Sequence, residues 1–469
     1  MVDFDNYSSP YSWRYASSKM RQIWSEKHKR HVWRQIWVAL AEVESQYGLV
    51  SEDQLADLKA HVDQIDIPRA LQIEAEIHHD LIAELKAFSE QSRAGGGVLH
   101  LGATSMDIED NADAMRMRES LDLILPKLGE LLILLSGQIE RWAAYPIIAF
   151  THLQPAEPST LGYRLAQYAQ DLFFDWQDIK ENRENLRGKG FKGAVGTAAA
   201  YAELIGIENL AQFEERLSQL LALPFFPVTS QTYPRKQDYR VISSLAGMGA
   251  SLYKFAFDLR FLQSPPIGEW AEPFSSKQVG SSAMPFKKNP IQAEKIDSLA
   301  RYLSQLPRLA WDNEAHSLLE RTLDDSANRR TLLPEAFLCS DELLNVALNL
   351  IQGIQFDQVA MKRNLATYNP FAATERVLMA LVKEGADRQA MHERLREHAL
   401  KAWEQVQQEM PNPLIQRVVS DALFLTYLSE DQLRTLMDAS TYTGSAKERA
   451  LALAAEIRAI LPPEYRRRQ

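Results

Sequence analysis

The chain of 469 residues has very few of the features that mark secreted or membrane proteins. Its single cysteine, Cys339, excludes an internal disulfide framework and indicates a reducing compartment. No uncharged apolar run is long enough to cross a bilayer. The first fifteen residues are polar and aromatic, which does not fit a signal peptide. We therefore expect a soluble cytoplasmic protein that makes no membrane contact.

The charge balance and the motif content exclude several further classes. The 52 basic and 62 acidic side chains give a net charge of −10, which argues against nonspecific binding to nucleic acid. The basic run Lys27–Arg34 is better explained as the solvated face of a helix whose apolar face carries Trp24, Trp33 and Trp37. No P-loop, GxGxxG motif or zinc-ligand cluster is found, and Cys339 is expected to be a small core residue.

Glycine and proline are scarce, at 20 and 21, and period-two strand patterns are nearly absent. Apolar residues instead recur in steps of four and three, as in a heptad seam. The three clearest seams are Leu121, Leu125, Leu128, Leu132, Leu135, Ile139, Trp142; Val241, Leu245, Met248, Leu252, Phe255, Leu259, Leu262; and Ile296, Leu299, Leu303, Leu306, Ala310. They predict long helices packed at small angles, with more apolar surface than one chain can bury, and hence a homo-oligomer.

Shifts in helix length divide the chain into three predicted domains. Residues 1–110 carry shorter helices, residues 111–357 hold the long seams, and residues 358–469 return to shorter helices broken by prolines. We therefore predict an all-α subunit of three domains with a central long-helix bundle.

The most informative segment is GSSAMPFKKNP, residues 280–290, which runs into the helix of the third seam. A helix N-terminus with free N–H groups, together with Lys287 and Lys288, would stabilise a bound carboxylate. The same positive charge would favour the alkoxide of Ser281 and make it a candidate base. The alternative is a solvated loop that happens to be basic.

A second segment, FTHLQPAEPSTLG at residues 150–162, places a Thr-His pair before a proline-punctuated turn and a long helix. His152 suits proton transfer near neutral pH. For a lone Thr-His pair, a structural histidine at a capped helix start is the better explanation.

Two further segments offer polar groups to a ligand. In HLGATSMDIEDNADAMRMR, Thr104 and Ser105 follow a glycine and suit a carboxylate, whereas Asp110 and Asn111 look like a helix start. In EIHHDLIAEL, neighbouring histidines cannot share one helical face, so a metal pair is not expected. One histidine, His79 beside Asp80, could line a pocket.

The segment ERTLDDSANRR, residues 320–330, places Arg321, Ser326, Arg329 and Arg330 around a turn. Guanidinium pairs with a hydroxyl suit a phosphate group. In isolation, surface ion pairs with Asp324 and Asp325 would explain it better.

Taken together, these strings resemble a known family. GSSAMPFKKNP is similar to the signature loop of the fumarase/aspartase superfamily, whose members release fumarate by cleaving C–N or C–O bonds. WRYASSKM, GATSMDIEDNAD, THLQPAEPSTLG, QTYPRKQDYR and ERTLDDSANRR resemble the adenylosuccinate lyase family over nearly the full chain. The resemblance implies a tetrameric helical core with sites shared between subunits. It also implies elimination of fumarate from adenylosuccinate and from succinyl-aminoimidazole carboxamide ribotide (SAICAR), without metal or organic cofactor.

The resemblance also implies roles for individual residues. Ser281 would be the general base and His152 the general acid, with Lys287 and Asn289 in the mobile loop and Glu294 supporting His152. The implied substrate contacts are Arg14, Tyr15, Arg321, Ser326 and Arg330 on the phosphate and ribose side; Thr104, Ser105, Thr151 and Gln231 around the succinyl part; and the pair His79 and Asp80. Lys295 stands where animal members carry an arginine near the phosphate, so it keeps the charge but loses the bidentate fork.

Two rival functions remain open from the sequence. One is another lyase of the superfamily, such as argininosuccinate lyase, against which the phosphate-type cluster at residues 321–330 argues. The other is a non-catalytic helical scaffold, which would not need Ser281, His152 and Lys287 together.

Overall fold

The computed structural model describes residues 5–466, which are mostly helical. Its α-helices are α1 (Pro10–Trp13), α2 (Ser18–Ile23), α3 (Glu26–Ser45), α4 (Glu52–His61), α5 (Ile67–Ile77), α6 (Asp80–Gln91), α7 (Ser105–Trp142), α8 (Leu161–Glu184), α9 (Ala199–Ile205), α10 (Leu210–Leu220), α11 (Lys236–Gln263), α12 (Ile291–Leu303), α13 (Leu306–Ala315), α14 (Ser326–Gly353), α15 (Gln358–Lys383), α16 (Arg388–Gln407), α17 (Leu414–Val419), α18 (Glu430–Leu436) and α19 (Ala446–Ile460). Two antiparallel pairs of strands accompany them: β1 (Pro146–Thr151) with β2 (Gln154–Thr160), and β3 (Trp270–Ala271) with β4 (Gln355–Phe356).

The predicted seams lie on the long helices, and all their residues are buried. The first seam lies on α7, the second on α11, and the third continues from α12 into α13. The 38 residues of α7 make a helix about 57 Å long, which continues through Pro126. The helical fold class predicted from the heptad spacing is confirmed.

The chain forms two compact units. The first comprises the residues up to Leu128 together with Phe174–Ala250 and Ser298–Val346. The second comprises Gly129–Phe173, Ser251–Asp297 and the residues from Ala347 onward, and α15 to α18 enclose one of its apolar cores. Among the helices of residues 5–466, none is both long enough and apolar enough to span a membrane.

The basic run Lys27–Arg34 is only in part the solvated face that its composition suggested, since Lys27 is exposed and Arg30 and Arg34 are not. Arg30 and Arg34 are buried on α3, and both donate to the buried carboxylate of Glu84, over 3.0 and 2.7 Å. Buried charges persist when they are paired and hydrogen-bonded, as these are. Trp33 and Trp37 do face the core, whereas Trp24 follows the end of α2.

The start of α7 also differs from the prediction. The helix begins at Ser105, so Asp110 and Asn111 lie inside it rather than at its cap. Asp110 is buried and accepts from the Arg235 guanidinium over 2.9 Å, while the Asn111 amide donates to the Gly190 carbonyl over 3.1 Å. Both side chains therefore bind neighbouring segments of the first unit.

Candidate functional site

A cavity of about 130 Å³ lies within the first unit, between α3, α6, α7 and α14. Four of the predicted substrate-binding residues meet at its wall: Asp80, Arg321, Ser326 and Arg330. Arg329, from the same predicted cluster, also lines the cavity. The other lining residues, which were not predicted from the sequence, are mostly charged or aromatic: Trp24, Glu26, Lys29, Trp33, Met106, Glu109, Asp113, Arg116, Arg235, Asp325, Leu333 and Pro334.

Two arginines at the cavity wall are held by carboxylates. The Arg330 guanidinium donates to Asp80 over 2.8 Å, and Arg321 donates to Asp325 over 2.8 Å. Although burial opposes its charged form, the Arg330 guanidinium keeps the pKa of Asp80 below its usual value. Each arginine still borders the cavity, so an anion there would meet two oriented guanidinium groups and the Ser326 hydroxyl at the start of α14.

Arg329 has a different role from its two neighbours. It is buried, and its Nε donates to Asp238 over 2.9 Å while Nη2 donates to the Tyr233 hydroxyl over 2.7 Å. Arg329 therefore forms buried ion pairs and not the surface ion pairs with Asp324 and Asp325; of those two aspartates, Asp325 pairs with Arg321 and Arg235.

Glu109 is a lining residue whose acidity is strongly perturbed. Enclosure in the cavity wall, together with the charges of Asp80, Asp113 and Asp110, raises the pKa of Glu109 to about 8. A signal in the sequence could have found it, because positions 105, 109 and 113 are spaced by four and share one face of α7. Ser105 on that face was predicted as a substrate contact, but Glu109 and Asp113 on the same face were not.

The other predicted residues of the first unit lie near helix ends. His79 caps α6, and its Nε2 lies 3.4 Å from the Ser105 hydroxyl. Thr104 precedes α7 and donates its N–H to Asp107 over 2.9 Å. The remaining three are Arg14 at the end of α1, Tyr15 beside it, and Gln231, whose N–H donates to the Glu320 carbonyl over 3.1 Å.

His152 lies in the second unit at the tip of a β-hairpin, where sequence reasoning expected a proline-punctuated turn. Thr151 ends β1 and pairs with Gln154, leaving His152 and Leu153 as a two-residue turn. Their φ angles are 53° and 59°, the left-handed region that such a tight hairpin turn demands and that larger residues rarely adopt. The turn holds His152 exposed, with strain of a kind often found at functional sites.

The segment 280–290 is a loop of the second unit that runs directly into α12, as predicted. The Asn289 amide donates to the Gly280 carbonyl over 2.9 Å and joins the two ends of the loop. The Ser281 hydroxyl accepts the N–H of Met284 over 3.1 Å. Lys287 is exposed.

The N-terminus of α12 does not offer the free N–H groups that were expected for a ligand. The Glu272 carboxylate accepts from the N–H groups of Gln292 and Ala293, over 3.0 and 3.1 Å, and is itself buried. An internal carboxylate thus satisfies the positive end of the helix. Positive charge for a ligand near Ser281 is left to Lys287, Lys288 and the amides of the loop.

Glu294 lies on the first turn of α12, 3.9 Å from the Arg260 guanidinium, and Lys295 follows it. Within the part of the chain that the structure describes, no hydrogen bond joins His152 to Ser281 or to Glu294.

Comparison with known proteins matches two family models to the chain. A lyase family model covers residues 8–303, and a model described as the adenylosuccinate lyase C-terminus covers residues 370–450. Adenylosuccinate lyase of Schizosaccharomyces pombe is 38% identical over 96% of this chain and 94% of its own length, and that of Saccharomyces cerevisiae is 37% identical over the same shares. The enzyme of that name from Pyrococcus abyssi is 33% identical over 94% of this chain and 95% of its own.

Solved structures agree on the fold. The 3-carboxy-cis,cis-muconate lactonizing enzyme of Pseudomonas putida superposes with a TM-score of 0.84 and 26% identity, over 96% of this chain and 99% of that one. A fumarate lyase of Mesorhizobium sp. BNC1 gives 0.83 and 24% over the same shares. Since the relatives match along almost the entire chain, the chain belongs to the adenylosuccinate lyase family.

Proposed function

We propose that the chain is an adenylosuccinate lyase of purine nucleotide biosynthesis. It releases fumarate from adenylosuccinate, leaving AMP, and from SAICAR, leaving the corresponding carboxamide ribotide (AICAR). The relatives that match over nearly the full chain carry this name, which supports the assignment.

The observation that carries the proposal is the cavity at which Arg321, Ser326 and Arg330 meet. Two guanidinium groups and a hydroxyl form a donor set suited to a phosphate monoester. Argininosuccinate has no phosphate, so this donor set favours a nucleotide substrate over the nearest rival in the superfamily.

The proposed reaction is an anti elimination. Ser281, as the alkoxide, removes the proton beside a carboxylate of the succinyl group, and negative charge builds up on that carboxylate. Lys287 and the loop amides stabilise this charge where it develops. His152, protonated, donates to the nitrogen that leaves from the opposite side, and fumarate and the nucleotide then separate.

The remaining predicted contacts fit into the same scheme. Thr104, Ser105, Thr151 and Gln231 would bind the succinyl part, and His79 with Asp80 would bind the substrate between the two ends. Asn289 would hold the loop closed, and Lys295 would add positive charge on the phosphate side beside the contacts of Arg14 and Tyr15.

We also propose a cytoplasmic homotetramer whose sites draw on several subunits, with Glu294 supporting His152 across an interface. Aromatic side chains exposed on α8, α11 and α13 are candidates for such an interface, since exposed apolar patches mark protein–protein interaction sites. They include Phe174 on α8, Phe257 on α11 and Trp311 on α13, which are 57%, 53% and 43% exposed.

A direct assay tests the function. Purified protein is given adenylosuccinate, SAICAR or argininosuccinate, and fumarate is quantified together with the second product. We expect fumarate and AMP in equal amounts from adenylosuccinate, fumarate from SAICAR, and none from argininosuccinate. Fumarate from argininosuccinate alone would overturn the phosphate assignment, and no turnover by folded protein would favour the scaffold alternative.

A further inference from the structure

Glu109 is one of five acidic residues at the wall of the cavity, and it lies on the same wall as the arginines and the hydroxyl that suit an anion. The cavity contains Arg321, Ser326 and Arg330, and Glu109 lies close enough to Arg330 for their charges to interact. An ionised carboxylate here would repel a phosphate and compete with it for the arginines.

The surroundings of Glu109 disfavour that ionised form. It faces the carboxylates of Asp80 on α6 and of Asp113 on α7, and Asp110 adjoins it in the chain. Arg330 on α14 opposes them. The other charged groups of the cavity wall are Glu26 and Lys29 on α3, Arg116 on α7, Arg235 before α11, Arg321 and Asp325 before α14, and Arg329 on α14. Loss of solvent is the largest cause, and the charges of the three aspartates add to it; together they raise the pKa of Glu109 to about 8, which favours its neutral form at pH 7.

A neutral carboxyl has an O–H group that an ionised one lacks. It can donate a hydrogen bond to a phosphate oxygen, whereas a carboxylate can only accept. We propose that Glu109 is a phosphate-binding residue, which donates from its neutral carboxyl to the phosphate held by Arg321, Ser326 and Arg330. This inference rests on the proposed function for the identity of the ligand and adds a residue to its binding site.

The proposal predicts that phosphate binding weakens at alkaline pH. A phosphate monoester loses its second proton near pH 6, so between pH 7 and pH 9 the ligand keeps its charge. Over the same interval Glu109 loses its proton. The protonated fraction of Glu109 falls about tenfold between pH 7 and pH 9, one unit below and one unit above its pKa. The affinity for AMP should fall by about the same factor.

The test measures the dissociation constant of AMP by calorimetry at pH 7 and pH 9, at constant ionic strength. Wild type should lose about tenfold in affinity. Glu109→Gln keeps an N–H donor but cannot ionise, so its affinity should stay the same at both pH values. Glu119→Gln, on the same helix but outside the cavity lining, should behave like wild type.

The outcomes separate this inference from the proposed function, because binding is measured without turnover. A pH-independent affinity in wild type, a full loss in Glu109→Gln, or no AMP binding at pH 7 would overturn the role of Glu109. Fumarate release bears on the reaction alone. If Glu109→Gln does not fold, Glu109→Ala replaces it in the test. This variant should bind AMP more weakly than wild type at pH 7, with an affinity that does not change with pH. A pH dependence equal to that of wild type would refute the phosphate-binding role of Glu109.

Discussion

Ser281 and His152 are the two side chains on which the proposed chemistry depends. Replacing either with alanine removes a proton-transfer group, which should lower the turnover number by about 10²- to 10⁴-fold. AMP should bind as before, because neither residue lines the phosphate cavity. Steady-state fumarate assays combined with AMP titrations measure both properties. Near-normal turnover in one variant would remove that residue from its role.

Glu44 on α3 allows a prediction about stability. Its carboxyl is 1% exposed, and neither oxygen has a hydrogen-bond partner among the described residues. Burial raises the pKa of Glu44 to about 8. Its folded pKa thus lies above the unfolded value, so the free energy of unfolding should fall by about 1.4 kcal/mol per pH unit between the two pKa values.

Glu44→Gln removes this pH dependence, since the amide does not ionise. Urea unfolding measures the free energy of unfolding of both proteins at pH 5 and pH 9. The difference, variant minus wild type, should be larger at pH 9 than at pH 5. The matched control is Glu76→Gln on the exposed side of α5, which should follow wild type at both pH values. A constant difference between Glu44→Gln and wild type across this range would show that Glu44 is ionised in the folded protein.

At the scale of elements, the loop 280–290 depends on a close approach at its base. A Cβ atom at Gly280 would collide with the carbonyl oxygen of Lys287, so alanine there must spread the two ends of the loop. Gly280→Ala should therefore lower fumarate release strongly while the unfolding transition changes little. Gly97→Ala serves as the control, because a Cβ at that exposed position meets no atom within 4 Å. Full activity in Gly280→Ala would show that this loop closure is not required.

The sequence predicted those elements whose signal is periodic. Heptad spacing located the buried faces of α7 and α11, because burial on a long helix repeats with the helix turn. It did not predict the hairpin at His152, because a His-Leu turn lacks the Asn-Gly or Asp-Gly pattern typical of such turns.

At the candidate site, contacts between residues far apart in the sequence were the main feature that the sequence did not predict. Glu84, the buried partner of Arg34, is 50 positions away from it in the sequence. Glu272, which caps α12, lies 20 positions before Gln292, whose N–H it accepts. Local composition contains no information about such partners. It did identify Arg321, Ser326 and Arg330, because they are neighbours in the sequence as well as at the cavity.

At the scale of the whole molecule, the proposed assembly makes the exposed aromatic residues of the long helices important. Phe257→Lys places a charge where an aromatic side chain would be covered, so it should weaken the assembly and lower activity with it. Sedimentation should give four chains of 53.3 kDa for wild type and a smaller species for the variant. Ile207→Lys, at a 76% exposed position outside the long helices, should leave the mass unchanged. A monomeric wild type with full activity would refute shared sites.

We propose that this lyase recognises its substrate through a phosphate at the cavity of Arg321, Ser326 and Arg330. The most direct test compares fumarate release from adenylosuccinate and from its dephosphorylated nucleoside, as kcat/KM under identical conditions. We predict rapid release from the nucleotide and a loss of at least about tenfold for the nucleoside, since charge-assisted hydrogen bonds to the phosphate contribute about 1.5–3 kcal/mol each. Equal values for the two compounds, or no fumarate from the nucleotide, would contradict this account.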